Sequence, residues 1–200
     1  MSAECSGLGT PSQRVELGED EGHLALLIDG VVQSVALEGG PLDFGYWPLM
    51  LPQVRPRAAL LLGYGGGTIG HLLVQRFGPI AITAVERDPE VARLAESSFG
   101  LPGGPFELVI GDAFAFVAAT SGTYDYIAVD LFAEDTIPKQ VLSRPFLKRL
   151  KALLAPGGLM AMNLFKDRRV VSHQHRLETV FPRVDYRQDF KNVVALCHPR

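Results

Sequence analysis

The chain has 200 residues, 47% of them hydrophobic and 20% charged, and its formal net charge is −3. This size and balance suit one soluble globular domain and argue against a surface that binds nucleic acid. Its two cysteines, Cys5 and Cys197, lie near opposite ends, which argues against a disulfide framework and a metal site. No apolar run is long enough to span a membrane, and the N-terminus lacks the basic and apolar regions of a secretory signal. We therefore expect a cytoplasmic protein that uses no metal and binds neither membranes nor nucleic acid.

Three regions follow from the changes in sequence pattern. Residues 1–13 are small, polar and turn-forming, and we expect a disordered tail. Residues 14–56 are predicted to form an N-terminal β hairpin followed by a short aromatic segment. Residues 57–200 are predicted to form a Rossmann-like main domain.

The hairpin prediction depends on two short apolar runs, His23–Ile28 and Val31–Val35, on either side of Asp29-Gly30. This dipeptide is typical of the two-residue type I′ turn. The aromatic segment that follows includes Tyr46 and Trp47, and Pro56 closes it.

The main domain is expected to begin with a glycine turn between a strand and a helix. Residues 58–62 are uncharged and apolar, as in a buried parallel strand, and four glycines follow within the next five positions. Glycines let the main chain turn sharply and approach a ligand closely. A helix opening at Thr68 would then point its N–H groups towards that ligand. A nucleotide is favoured over a plain turn, although Gly65-x-Gly67-x-x-Gly70 also satisfies the weak dinucleotide fingerprint.

Strands and helices alternate through the rest of the chain, which predicts a doubly wound, mostly parallel α/β sheet of seven strands. The final two strands are expected to make one edge antiparallel. The predicted helices are 68–77, 88–99, 113–119, 143–154 and 172–181, and the predicted strands are 58–62, 80–86, 106–110, 124–129, 159–164, 184–186 and 193–197.

Three of these strands end in, or are followed by, an acid: Glu86, Asp112 and Asp130. Ligands of such sheets bind beyond the carboxyl ends of the strands. Glu86 has about the spacing from the glycine turn at which a carboxylate accepts both ribose hydroxyls. Asp112 could accept from an adenine amino group or cap the next helix. Asp130 could lie over a catalytic cleft or serve as a turn carboxylate.

The order and spacing of these motifs resemble the spermidine synthase family, which has the fold of class I S-adenosylmethionine-dependent methyltransferases. The resemblance runs from about residue 24 to 163. The segments that carry it are Leu27-Ile28-Asp29-Gly30-Val31-Val32-Gln33, Gly63-Tyr64-Gly65-Gly66-Gly67, Val85-Glu86-Arg87-Asp88-Pro89, Gly111-Asp112-Ala113, Tyr124-Asp125-Tyr126-Ile127-Ala128-Val129-Asp130 and Pro156-Gly157-Gly158.

The resemblance implies a nucleoside lying on the glycine turn, with Glu86 on its ribose and Asp112 on its adenine amino group. It also implies that Asp130 helps to deprotonate an attacking amine. Gln33 and Tyr46 match positions near the sulfonium end. The implied cofactor-binding residues are Gln33, Tyr46, Gly63, Gly65, Gly66, Gly67, Glu86, Asp112 and Ala113.

The sequence departs from the family pattern at three positions. Thr68 replaces an acid that orients the amino end of decarboxylated S-adenosylmethionine, Ala133 replaces a second acid, and Trp47 stands where a polar residue is usual. Losing carboxylates weakens the attraction for a diamine. We therefore favour methyl transfer from S-adenosylmethionine to a small acceptor, with amines among the candidates. The alternative is aminopropyl transfer from decarboxylated S-adenosylmethionine.

Two further alternatives stay open at this point: a non-catalytic nucleoside-binding module and, as the weakest, an NAD-dependent reductase. The family's habits and the N-terminal hairpin also lead us to expect a homodimer.

Overall fold

The computed structural model describes residues 13–37, 40, 42–132 and 136–200. All but the last residue of the predicted N-terminal tail lies outside these ranges, as does Ala133. Within them, no helix is long and apolar enough to cross a bilayer.

The N-terminal region forms a small antiparallel sheet of three strands, β1 (Val15–Asp20), β2 (His23–Ile28) and β3 (Val31–Val35). The predicted β2–β3 hairpin is present, and its turn has the positive φ angles of type I′, 51° at Asp29 and 78° at Gly30. The sequence analysis missed β1. It joins β2 through Glu21-Gly22, a second turn with positive φ at both residues.

The main sheet has seven strands, β4 (Ala58–Leu62), β5 (Ala81–Glu86), β6 (Phe106–Ile110), β7 (Tyr124–Val129), β8 (Leu154–Phe165), β9 (Arg183–Gln188) and β10 (Asn192–His198). Their order is β6-β5-β4-β7-β8-β10-β9, with β10 and β9 antiparallel at one edge, which confirms the predicted fold class. The helices are α1 (Trp47–Met50), α2 (Thr68–Phe77), α3 (Pro89–Leu94, continued by a π-helical turn, Ala95–Phe99), α4 (Ala113–Ala119), α5 (Arg144–Leu153) and α6 (Val170–Glu178).

The central strands are apolar on both faces because each face of the sheet is covered. On β4, Leu60 and Leu62 pack in one core cluster, while Leu61 and Ala59 pack in the other. Buried parallel strands of this kind read as continuous apolar runs. α1 packs into the second cluster through Trp47, so the aromatic segment shares a core with the main sheet. The proposed boundary at residue 57 stays a prediction.

β8 differs from its predicted bounds because it begins at Leu154. Tyr124 pairs with Leu154 and Tyr126 with Leu159, so β8 bulges through the predicted Pro156-Gly157-Gly158 turn. Gly157 has a φ of 79°, which suits such a bulge.

Candidate active site

A cleft of about 390 Å³ lies at the carboxyl edge of the sheet, between the main domain and the small N-terminal sheet. Parallel pairing of β4 with β5 and β7, and of β5 with β6, brings the ends of these strands to this edge. Eight of the ten predicted site residues line the cleft: Gln33, Tyr46, Gly63, Gly65, Glu86, Asp112, Ala113 and Asp130.

The other two predicted residues, Gly66 and Gly67, pack against protein atoms. A Cβ on Gly66 would lie 2.9 Å from the Cβ of Ser34, and one on Gly67 would lie 2.4 Å from the Tyr64 hydroxyl oxygen. Gly67 also has a φ of 87°. Gly66 lets the turn pack against Ser34 of the N-terminal sheet, and Gly67 lets it pack against Tyr64. Both glycines are therefore required by the packing of the turn.

Glu86 binds the glycine turn through its carboxylate. Oε2 accepts hydrogen bonds from the backbone N–H groups of Tyr64 (3.1 Å) and Gly65 (3.0 Å), and Oε1 accepts from the N–H of Asp88 (3.0 Å). A carboxylate has about four acceptor sites. Glu86 therefore fixes the turn and retains capacity for a ligand hydroxyl.

The backbone N–H groups from Gly63 to Gly67 all have acceptors within the protein. Besides the two on Glu86, Gly63 donates to the Val85 carbonyl (3.0 Å), Gly66 to the Ser34 hydroxyl (2.8 Å) and Gly67 to the Tyr64 carbonyl (2.9 Å). Phosphate-binding loops present free N–H groups to the anion. This turn therefore suits an uncharged or cationic nucleoside better than a phosphate-bearing dinucleotide.

Asp112 caps α4, because its Oδ1 accepts a hydrogen bond from the N–H of Ala115 at 2.8 Å. The sequence predicted that Asp112 either binds an adenine amino group or caps a helix. The structure is compatible with both roles, since Asp112 and Ala113 also line the cleft. One carboxylate oxygen caps the helix, and the other is available to a ligand.

Thr68, which replaces the family's acid, joins the glycine turn to the N-terminal sheet. Its buried hydroxyl accepts from the N–H of Val35 (2.9 Å) and donates to the Val35 carbonyl (2.8 Å). Gln33 lies next to this contact as the extra residue of a β-bulge, because Leu26 pairs with Ser34 and Leu27 with Val32. A bulge redirects a side chain, and Gln33 lines the cleft.

Asp130 follows β7 on the opposite side of the glycine turn from Glu86. Its half-buried carboxylate accepts hydrogen bonds from the Tyr46 hydroxyl to Oδ2 (2.6 Å) and from Asn163 Nδ2 to Oδ1 (3.0 Å). Burial raises the pKa of Asp130 from 3.8 to about 6, even though both hydrogen bonds lower it. Burial and the charge of Asp130 raise the pKa of Tyr46 in turn.

Two long-range contacts hold Tyr46 in position by fixing the helix that follows it. The Tyr126 hydroxyl donates to the Met50 carbonyl (2.7 Å), and Arg187 Nη1 donates to the carbonyls of Leu49 (2.8 Å) and Leu51 (3.0 Å). Tyr46 and Trp47 also pack with ring centroids 4.9 Å apart. The Tyr46–Asp130 pair is therefore preorganised by β7 and β9.

Asn163 and Asn192 were missed by the sequence analysis. Asn192 Nδ2 donates to Asn163 Oδ1 (3.0 Å), and Asn163 donates to Asp130, so two buried amides orient the carboxylate. One feature of the sequence could have indicated this role: Asn163 is the one amide side chain within the apolar run of β8. A buried polar side chain usually has a specific partner.

The charges around the cleft suit a cation. Among its lining residues, one side chain, Arg87, is basic, and five are acidic: Asp29, Glu86, Asp88, Asp112 and Asp130. A sulfonium nucleoside, which carries a ribose, an adenine amino group and a positive sulfur, fits this set of acceptors. No group of acids, histidines and cysteines in the described residues could hold a metal ion.

Comparisons with known proteins agree with this fold. The chain is 35% identical over 137 residues to a probable polyamine aminopropyl transferase of Bifidobacterium longum, a match that covers 66% of this chain and 30% of that protein. It is 31% identical over 178 residues to putrescine N-methyltransferase 4 of Nicotiana tabacum, which covers 84% of this chain and 44% of the relative. The chain thus spans less than half the length of these curated relatives.

Solved structures show the same fold. A probable spermidine synthase from Corynebacterium glutamicum superposes with a TM-score of 0.81 at 22% identity, over 99% of this chain and 81% of that one. Human methyltransferase-like protein 13, in complex with SAH, superposes with a TM-score of 0.64 at 27% identity, over 71% of each chain. The spermine/spermidine synthase domain model matches residues 47–188, and the chain belongs to that family.

Proposed function

We propose that this protein transfers an alkyl group from a sulfonium nucleoside of the S-adenosylmethionine type to an amine. The observation that carries the proposal is the half-buried Asp130, held by Tyr46 and Asn163 in a cleft that Glu86 also lines. Relatives named as aminopropyltransferases and as putrescine N-methyltransferase support an amine acceptor.

Each residue has a defined task in this proposal. Glu86 and Asp112 hold the ribose hydroxyls and the adenine amino group. When bound, the nucleoside supplies a carbon activated by the adjacent positive sulfur. The amine nitrogen forms a bond to that carbon while the bond between the carbon and sulfur breaks, so the nucleoside leaves as a neutral thioether. The alkylated amine then loses one proton, which Asp130 accepts and passes to solvent. With a pKa of about 6, Asp130 is ionised at neutral pH and is a base of suitable strength.

Methyl is the first candidate for the transferred group. An aminopropyl group carries a cationic amine, and at the family's position for binding it this chain has Thr68, whose hydroxyl is hydrogen-bonded on both sides to Val35. No carboxylate is therefore available at that position.

Aminopropyl transfer is the second candidate, and a separate observation supports it. The carboxylate of S-adenosylmethionine needs donors, but the N–H groups of the glycine turn are already bonded within the protein. A decarboxylated donor does not need them. The name of the matching family also agrees with this candidate.

One experiment separates these candidates. Calorimetric titrations would compare S-adenosylmethionine, decarboxylated S-adenosylmethionine, methylthioadenosine and NAD, and mass spectrometry would then identify the products formed with putrescine and with monoamines. We expect sulfonium nucleosides to bind, NAD not to bind, and putrescine to be a poor acceptor because Thr68 and Ala133 remove two acids. Binding of NAD alone would overturn the proposal. Rapid formation of spermidine would select aminopropyl transfer.

The homodimer and the cytoplasmic location expected from the sequence remain proposals, which gel filtration with light scattering and cell fractionation would test.

A further inference from the structure

The turn between β9 and β10 carries a large hydrophobic side chain at the catalytic edge of the sheet. β10 runs antiparallel to β8, and β8 runs parallel to β7. The beginning of β10 therefore lies at the same edge as Asp130, which follows β7. Phe190 lies in this turn and is 91% exposed, more than any other large hydrophobic residue in the described part of the chain.

Hydrogen bonds hold the turn in one conformation. Asp189 Oδ1 accepts from the N–H groups of Lys191 (2.8 Å) and Asn192 (2.6 Å), and the Asp189 N–H donates to the Asn192 carbonyl (3.0 Å). The Lys191 carbonyl also accepts from the N–H of Lys166 at 2.8 Å, which ties the turn to the end of β8. An exposed aromatic side chain on a hydrogen-bonded turn can anchor a protein partner, because the backbone of the turn loses little conformational entropy on binding.

The turn is close to the proposed catalytic carboxylate. Asn192 follows it and hydrogen-bonds to Asn163, which hydrogen-bonds to Asp130. On the neighbouring strand, Phe165 pairs with Asn192 in the sheet and packs its ring 4.5 Å from that of Phe132, a cleft residue. Two side-chain hydrogen bonds thus separate the start of β10 from the cleft.

Basic residues lie beside Phe190 along the backbone: Lys191 follows it, Lys166 is hydrogen-bonded to the Lys191 carbonyl, and Arg168 is two residues beyond Lys166. The one acid in the turn, Asp189, accepts from the N–H groups of the turn itself. Lys166, Arg168 and Lys191 are exposed, and none of them takes part in an ion pair formed among the described residues. We call Lys166, Arg168, Phe190 and Lys191 the acceptor rim. Its charge is opposite to that of the cleft, whose lining has five acids and one arginine.

We infer that the acceptor rim docks a polypeptide whose target amine is flanked by acidic residues. This inference rests on the proposed function, and it specifies the chemical class of the molecule that carries the acceptor amine. Acidic side chains would pair with the rim, an apolar group would cover Phe190, and the cationic amine would enter the acidic cleft. A free diamine would gain nothing from a basic rim. Nucleic acid fits less well, because the cleft beside the rim and the chain as a whole are acidic.

The test uses the full chain, labelled sulfonium donors and short lysine-centred peptides with acidic, neutral or basic flanks. We expect the acidic set to be labelled at least about tenfold faster than the basic set, since charge complementarity governs encounter and register. Phe190→Ser should slow labelling of acidic peptides about tenfold, the loss expected for an aromatic anchor. Lys191→Glu should shift the preference towards neutral or basic flanks.

Matched controls come from exposed residues away from this edge. Val54→Ser removes another exposed hydrophobic side chain, before β4, and Lys148→Glu reverses a charge on the exposed face of α5. Neither should change peptide labelling, and all four variants should bind the donor normally in calorimetry. Equal labelling of all peptide sets, or equal effects of Phe190→Ser and Val54→Ser, would overturn the inference. So would competition by polyuridine, which would assign the rim to nucleic acid.

The two proposals fail in different ways. If the sulfonium donors bind but peptide charge has no effect, the acceptor class is wrong and the proposed function stands. If no sulfonium donor binds, both are wrong.

Discussion

Replacing Asp130 with asparagine should make the protein more stable and less active. The carboxylate of Asp130 has its pKa raised from 3.8 to about 6 because it is desolvated. The folded chain therefore binds this proton more tightly than the unfolded chain does. The contribution of Asp130 to stability is complete below about pH 4 and is lost as the pH rises through about 6.

The magnitude follows from the difference between the two pKa values, which corresponds to about 3 kcal/mol at most. Asparagine has the same shape and no charge, and its carbonyl oxygen can still accept from Asn163. At about pH 8, Asp130→Asn should therefore raise the free energy of unfolding by about 1–3 kcal/mol, and at about pH 4 the two proteins should be nearly equal. Denaturant unfolding at the two pH values measures this difference.

Activity should change in the opposite direction. Removing a positioned base lowers transfer by a factor of about 10²–10⁴, while affinity for the nucleoside should stay within a few tenths of a kcal/mol, because Asp130 is not expected to contact the adenosine. Mass spectrometry of the product and calorimetry of the donor separate the two effects. A variant that is less stable at about pH 8 and fully active would refute the reasoning, since a turn carboxylate that only satisfies local donors behaves in that way.

Three other substitutions test the neighbouring contacts. Tyr46→Phe removes a hydrogen bond that lowers the pKa of Asp130, so the rising limb of the pH–rate profile should move to higher pH; an unchanged or lower midpoint would contradict this. Glu86→Gln should weaken binding of the nucleoside by about 1.5–3 kcal/mol, the value of charge-assisted hydrogen bonds, and equal affinity in calorimetry would remove Glu86 from the ribose site. Thr68→Val should lower the free energy of unfolding by about 2–4 kcal/mol, because it leaves two buried groups of Val35 without partners. Thr68→Ser is the control, and equal stability of the valine and serine variants would count against the role of this hydroxyl.

The sequence was sufficient for the order of the main strands and helices. Buried parallel strands such as β4 are continuous apolar runs, and Asp88 followed by Pro89 is a local signal for the start of a helix. β1 was missed because its sequence, VELGED, lacks both a continuous apolar run and a regular alternation. Its pairing with β2 depends on a turn at Glu21-Gly22 and on contact with a strand that carries the stronger pattern.

Much of the candidate site could also be predicted, since a parallel sheet brings the carboxyl ends of its strands to one edge wherever they lie in the chain. Glu86, Asp112 and Asp130 were placed in the cleft by that rule alone. Asn192 could not be found in this way, because its role depends on an antiparallel pairing with β8 and on a side-chain contact with Asn163, 29 positions away.

The residues of the glycine turn could be identified from the sequence, but the groups to which they hydrogen-bond could not. The amino-acid sequence shows a turn rich in glycine, and its resemblance to the family shows that Thr68 replaces an acid. The folding of distant segments onto the turn brings Glu86 and Ser34 to its N–H groups and Val35 to Thr68. Local pattern encodes the backbone geometry of one segment, whereas hydrogen-bond partners depend on how distant segments pack, and that packing minimises the number of unpaired buried groups.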